Sequence, residues 1–112
     1  MPIGELEQVI LIALARLTED GVHGAAIIDE IETSADRRVT PGALYTTLDR
    51  LQAKGLVEGW IGDDTPSRGG RRRKLYRLTP HGARELKAWY TGLNRFAADA
   101  LGRLDAIAEG AR

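Results

Sequence analysis

A mostly helical α+β fold is predicted, built of three helices, a two-stranded hairpin and one long final helix. Three observations predict it. Apolar residues recur at helical spacing over the first half of the chain, as far as Lys54. Between Leu56 and Leu78 the pattern changes to a loose alternation of strand formers around a glycine-rich loop. From Leu86 to Ile107 apolar positions return at an unbroken four-and-three spacing. With basic residues at the hairpin tip, this is the element order of a winged helix-turn-helix.

The first helix, Glu5 to Leu17, is apolar on more than one face, through Leu6, Val9, Ile10, Leu11, Ile12, Ala13, Leu14 and Leu17. Such a helix must be covered on several sides. Its own core can supply that cover; a second subunit meeting Leu6 and Ile10 is the other source, and both can hold. Thr18 to Gly21 reads as a stop and turn, with Gly21 at the left-handed position. A second helix from Gly24 to Thr33 buries Ile27, Ile28 and Ile31. Ser34 to Val39 is a polar connection in which Val39 is placed for a short strand contact.

The third helix opens on Thr40 as N-cap and Pro41 at the first helical position, and stops at Lys54-Gly55 with Gly55 as the left-handed cap. Leu44, Leu48 and Leu51 form its buried stripe. The opposite face carries only small or polar residues: Gly42, Thr46, Asp49, Arg50 and Ala53. Leu56 to Ile61 reads as the first strand, Gly62 to Gly70 as a loop, and Arg71 to Leu78 as the returning strand with Tyr76 and Leu78 on one face. Thr79-Pro80 repeats the cap-and-proline start of a fourth helix that runs to about Glu109, roughly 45 Å at 1.5 Å per residue. Its stripe, Leu86, Tyr90, Leu93, Ala97, Ala100, Leu104 and Ile107, is the seam of a coiled coil, widened by Trp89 and Phe96. The expected solution is a symmetric homodimer in which this helix meets its mate and the first helix. A helix folded back on its own domain is the alternative. Residues 1–79 then make up the winged helix-turn-helix, and residues 80–112 a dimerisation helix continuous with it.

Composition narrows the functional classes. The chain has 112 residues, no cysteine and a formal net charge of zero. One domain, no disulfides and no thiolate metal site follow. The start lacks a signal-peptide pattern and no apolar run is long enough for a membrane span, so a cytoplasmic location is expected. His23 and His81 lack a nearby nucleophile or metal-ligand spacing and read as surface residues. Asp63-Asp64 reads as a solvated turn, and no phosphate-binding loop ending in Lys-Ser or Lys-Thr is present. No enzyme, cofactor or metal is expected. The charge is nevertheless unevenly spread: Arg68 to Arg77 holds six cations and no acid, which suits a localised phosphate contact.

Double-stranded DNA is the partner these features fit. Phosphate contacts position a protein and base-edge contacts specify sequence. The capped start of the third helix offers amides, the Thr40 hydroxyl and a close approach at Gly42, unless packing is what demands that glycine. Tyr45 can pack its ring and turn its hydroxyl to a phosphate. Thr46 and Arg50 are placed for base edges, although Arg50 could reach phosphate or Asp49 instead. Arg68, Arg71, Arg72, Arg73 and Lys74 surround Gly69-Gly70 at the hairpin tip, where they can meet flanking phosphates or the minor groove. Arg77 lies deeper and reads as structural. A winged helix that binds protein instead of DNA is the competing reading.

The chain resembles the PadR family of bacterial transcriptional regulators. The matching residues are His23-Gly24; Pro41-Gly42-Ala43-Leu44-Tyr45 with Leu48, Arg50-Leu51 and Lys54-Gly55-Leu56-Val57; Gly69-Gly70-Arg71; Lys74; Tyr76-Arg77-Leu78-Thr79; and Gly82. The resemblance implies a homodimeric repressor of the short C-terminal branch, bound to a palindromic operator, with the helix from Pro41 to Lys54 in the major groove and Tyr45 on the DNA backbone. Many members release DNA on binding aromatic compounds, so a small aromatic effector is implied, held near Trp89, Tyr90, Leu93 and Phe96 if those residues do not instead fill the dimer core. Three departures stand out. Asp49 replaces a frequently basic residue, Arg71-Arg72 replaces a proline after the paired glycines, and Leu93 stands where some drug-binding members have tryptophan.

Overall fold

The computed structural model describes residues 4–17, 20–62 and 73–110. In chain order they form α1 (Glu5–Arg16), α2 (Gly24–Ala35), α3 (Pro41–Ala53), β1 (Val57–Ile61), β2 (Lys74–Leu78) and α4 (Pro80–Ala108). The mostly helical α+β reading holds, with each boundary within about two residues of its sequence expectation except at β2, which starts at Lys74. Arg71 and Arg72, expected in that strand, lie outside the described residues, as does the loop at 63–70.

Local chemistry starts and stops the helices. Thr40 and Thr79 accept the N–H groups of Ala43 (3.1 Å) and Gly82 (2.9 Å), each followed by proline at the first helical position. Gly55 ends α3 at φ +75°, a conformation that costs other residues their Cβ clearance. His23 caps α2: its Nδ1 accepts the Ala26 N–H at 3.3 Å. This corrects the solvated surface role expected for His23, which is half-buried.

The three short helices enclose one core. Ile10, Leu11, Ile27, Ile31, Leu44, Leu48 and Leu51 are fully buried, and Val57, Leu56, Tyr76 and Leu86 close it from the hairpin and α4. Ile10 was expected at a dimer contact; instead its own chain covers it completely. Leu86 corrects the same expectation at the start of α4, being 9% exposed within the core of its own chain. Leu6 remains half-buried at the edge of this core.

β1 and β2 pair antiparallel with Val57 opposite Leu78 and Ile61 opposite Lys74. The free edge of β2 is occupied by Val22, which exchanges two backbone hydrogen bonds with Tyr76 (2.9 and 2.8 Å). Sequence had placed this short strand contact at Val39. Val39 is not in a strand; it drops its side chain into the core just before the Thr40 cap. The edge needs one extended residue with both polar groups free, and Val22, held extended between the Gly21 turn and the His23 cap, supplies it.

One charge is buried with a purpose. Glu7, 5% exposed, accepts the Gly4 N–H (2.9 Å) and pairs with Lys54 at the end of α3 (2.7 Å). Burial pushes its carboxyl pKa up, but the hydrogen bonds from Lys54 and Gly4, with the charges of Lys54 and Arg50, outweigh that and hold it below the ordinary value.

Among the described residues α4 is anchored only at its start. Gly82 packs so tightly on the Leu56 carbonyl that no side chain would fit. The Trp89 ring lies against the core, with its buried Nε1 bonded to none of the described residues, and the Tyr90 hydroxyl donates to Gln8 Oε1 of α1 at 3.0 Å. Beyond Tyr90 the apolar stripe is bare: Leu93, Leu104 and Ile107 are about half exposed, and Phe96 is 78% exposed. The helix projects, giving a molecule 62 Å long and 26 × 22 Å across. Among the described residues no helix is long and apolar enough to cross a membrane.

Candidate nucleic-acid interface

The outward face of α3 is set by its buried one. Leu44, Thr47, Leu48 and Leu51 point into the core, the Thr47 hydroxyl donating to the Ala43 carbonyl (2.7 Å). At about 100° per residue, Gly42, Thr46, Asp49 and Ala53 lie within roughly 30° of the opposite line and form a crest. Tyr45 and Arg50 lie roughly 70° to either side of it. All six are exposed. Arg50 is therefore a flank residue turned toward α1, where its charge reaches Glu7.

The first turn of α3 offers fewer amides than its sequence suggested. Pro41 has none, the Ala43 N–H is held by Thr40 Oγ1, and the Leu44 N–H by the Thr40 carbonyl at 2.9 Å. That leaves the Gly42 N–H. The Thr40 hydroxyl keeps its proton for a further acceptor, since capping uses only a lone pair. A Cβ at Gly42 would meet none of the described residues within 4 Å, so packing among them does not demand glycine there. Of the two explanations the sequence left open, the packing one finds no support among the described residues.

On its other flank α3 meets the hairpin and α2. The Tyr45 ring lies 6.5 Å from that of Tyr76, tilted by 42°. Tyr76 is buried; burial first, then Tyr45 and Asp49, raises its phenol pKa and keeps it neutral. Lys74 Nζ lies 5.5 Å from the Tyr76 ring centre. The Tyr45 hydroxyl stands over Gly24, where a Cβ would come within 2.8 Å of its Cζ. His23, Gly24, Ala25, Tyr45, Arg73 and Lys74 thus border one open groove of about 310 Å³. It holds a phenol hydroxyl, the first turn of a helix and two cations, a set that suits an anion.

The expected site residues therefore separate into groups. Tyr45, Arg73 and Lys74 are brought together; Thr40, Gly42 and Thr46 follow along α3, and Arg50 sits on the far flank. Arg68, Arg71 and Arg72 lie outside the described residues. Arg77 is engaged elsewhere: it pairs with Asp20 (2.9 Å) and Glu58 (3.0 Å) and stacks 4.7 Å from the Trp60 ring. Those hydrogen bonds, Asp20 first, raise its pKa. Two residues were missed. His23 reached the groove as a helix cap, for which histidine is an uncommon choice. Arg38, exposed just ahead of Thr40 and unpaired among the described residues, was passed over because a lone arginine in a polar connection carries no pattern.

Comparison with known proteins is consistent along the chain. The profile of the transcriptional regulator PadR-like family matches residues 13–88. The transcriptional regulator Rv3488 of Mycobacterium tuberculosis is 38% identical over 91 residues, spanning 80% of this chain and 78% of its own. Among solved structures, a PadR-like transcription factor from Bacteroides fragilis superposes with a TM-score of 0.66 at 28% identity, over 84% of this chain and 87% of that one. PadR of Bacillus subtilis, solved in complex with operator DNA, shares the fold at a TM-score of 0.61 and 22% identity, over 80% of this chain and 48% of that one.

Proposed function

The chain belongs to the PadR-like family of transcriptional regulators, and we propose that it acts as a homodimeric repressor that sets two copies of α3 into the major groove of an inverted-repeat operator. The observation that carries this reading is the α3 crest: capped, exposed, free of large apolar groups and flanked by the groove of Tyr45, Arg73 and Lys74. Its low relief fits a groove that admits one helix. The solved B. subtilis PadR complex with operator DNA supports the assignment by shared fold.

In this reading Thr40, Gly42 and Tyr45 hold one phosphate strand, and Arg73 and Lys74, with Arg68, Arg71 and Arg72, grip the flanking backbone. Thr46 faces base edges, and Arg50 serves the opposite wall of the groove. Residues 1–79 are the DNA-binding unit and 80–112 the dimerisation helix. The bare stripe Leu93, Ala97, Ala100, Leu104 and Ile107, with Tyr90 and Leu6 at its inner end, meets the second copy. Val9 and Ile12 add to that surface where they border an apolar groove between α1 and α2. A small aromatic effector would enter between Trp89, Tyr90, Leu93 and Phe96 of the pair, and the protein would work in the cytoplasm.

The test is binding to DNA from upstream of its own gene across a salt series. A dimer contacting about 6–10 phosphates loses roughly 10³- to 10⁵-fold in affinity between 50 and 200 mM salt. No retardation at low salt, together with a captured protein partner, would turn the reading to a protein-interaction module.

A further inference from the structure

Asp49 stands on the crest of α3, closer to the line that faces outward than either Tyr45 or Arg50. It is exposed and makes no hydrogen bond or ion pair among the described residues. On a face built to meet a polyanion, an unpaired carboxylate repels phosphate and weakens binding. A helix seated in the major groove keeps its flanks against the phosphate walls and its crest against the floor. At the floor the hydrogen-bond donors are the exocyclic amino groups, cytosine N4 and adenine N6; the guanine and thymine edges present acceptors that repel a carboxylate. The neighbours of Asp49 on the crest are Gly42, Thr46 and Ala53, all small, so even its short side chain can reach the floor.

We infer that Asp49 is a specificity-determining residue, its carboxylate accepting a hydrogen bond from an exocyclic amino group of one base in each operator half-site. The inference rests on the DNA-binding reading given above and adds to it the residue and the chemical group that fix one position of the sequence. Arg50 and Tyr45 then supply affinity, and Asp49 supplies rejection of wrong bases at the cost of some affinity.

The test starts from the site that the wild-type protein selects out of a randomised duplex pool. Competition binding against every single-base-pair change of that site is then compared for wild type, Asp49→Ala and Asp49→Glu. The expected result is that Asp49→Ala loses discrimination at one symmetry-related pair of positions, by about 5- to 150-fold. The other positions keep theirs, and Asp49→Glu restores part of the loss. Binding of Asp49→Ala to unrelated DNA at low salt equals or exceeds the wild type's, which separates this outcome from misfolding. At the affected position, replacing cytosine by 2-pyrimidinone or adenine by purine, each lacking the amino group, weakens the wild type but not Asp49→Ala. Sensitivity to the first analogue assigns cytosine, and to the second adenine. If Asp49→Ala keeps the wild-type preference at every position, or if neither analogue affects the wild type, the inference is overturned while the DNA-binding reading stands. If the wild type selects no sequence at all, both fall.

Discussion

Gly42 and Glu7 bear on stability in opposite ways, Gly42 lowering it at a position proposed for binding and Glu7 raising it through a buried ion pair. Replacing Gly42 by alanine places a methyl group in open space and improves helix propensity, by up to about 1 kcal/mol. Gly42→Ala should therefore raise the melting temperature while weakening operator binding; tighter binding would remove the close approach from the proposal. Glu7 works through its charge. Its folded pKa lies below the ordinary 4.5, so its stabilisation is complete above that value and is lost as pH falls through the folded one. Glu7→Gln should cost about 1–3 kcal/mol near neutral pH. The gap to wild type should narrow as pH falls below the ordinary 4.5, read by thermal melts; a gap independent of pH would assign the effect to shape alone. At this scale the sequence was only partly legible. Thr40 and Thr79 were readable as caps because their chemistry is local. Ile10 was not readable as core, because α1 is apolar on several faces and periodicity cannot say which face its own chain covers.

Among the elements, α4 divides into an anchored start and a bare remainder. Gly82→Ala would push a methyl into the Leu56 carbonyl and within 2.9 Å of Leu78 Cδ1. About 1–3 kcal/mol of destabilisation is expected from such overpacking, measurable by urea unfolding. Changing Leu104 and Ile107, which lie outside the buried core, together to aspartate should convert the proposed dimer to a monomer in light scattering. An unchanged mass would overturn the dimer assignment for this stripe. The length of α4 was plain in the sequence because four-and-three spacing is a strong periodic signal. Where its own domain stops covering the seam, after Tyr90, was not, since that depends on how far the body extends beneath it. The third strand contact was illegible for a related reason: a single bridge at Val22 has no period to detect.

For the whole molecule, the proposed pairing makes spacing a property of the protein. Two α3 helices on one DNA face must stand about 34–36 Å apart, one helical turn. Inserting about 5 base pairs between the half-sites turns one of them to the far side of the duplex. Affinity should then drop by about 10²- to 10⁴-fold as the second contact is lost, read by gel retardation; equal binding to both spacings would mean that each copy binds alone. The zero net charge fits such a scheme, because a weak general attraction for DNA leaves the geometry of the pair to choose the site.

The bare stretch of α4 from Leu93 to Ile107 also has a consequence for dosage. A chain that reaches its target only as a pair responds to its own abundance by mass action. Well below the dimer dissociation constant, halving the number of chains leaves about a quarter of the pairs. Under the proposed dimeric repression, operator occupancy would then follow the square of expression, so dilution by growth after synthesis stops would lift repression sooner than loss of the protein itself would suggest. In the proposed dimer the exposed leucines of one helix would thereby set a threshold for the gene that the other helix would read.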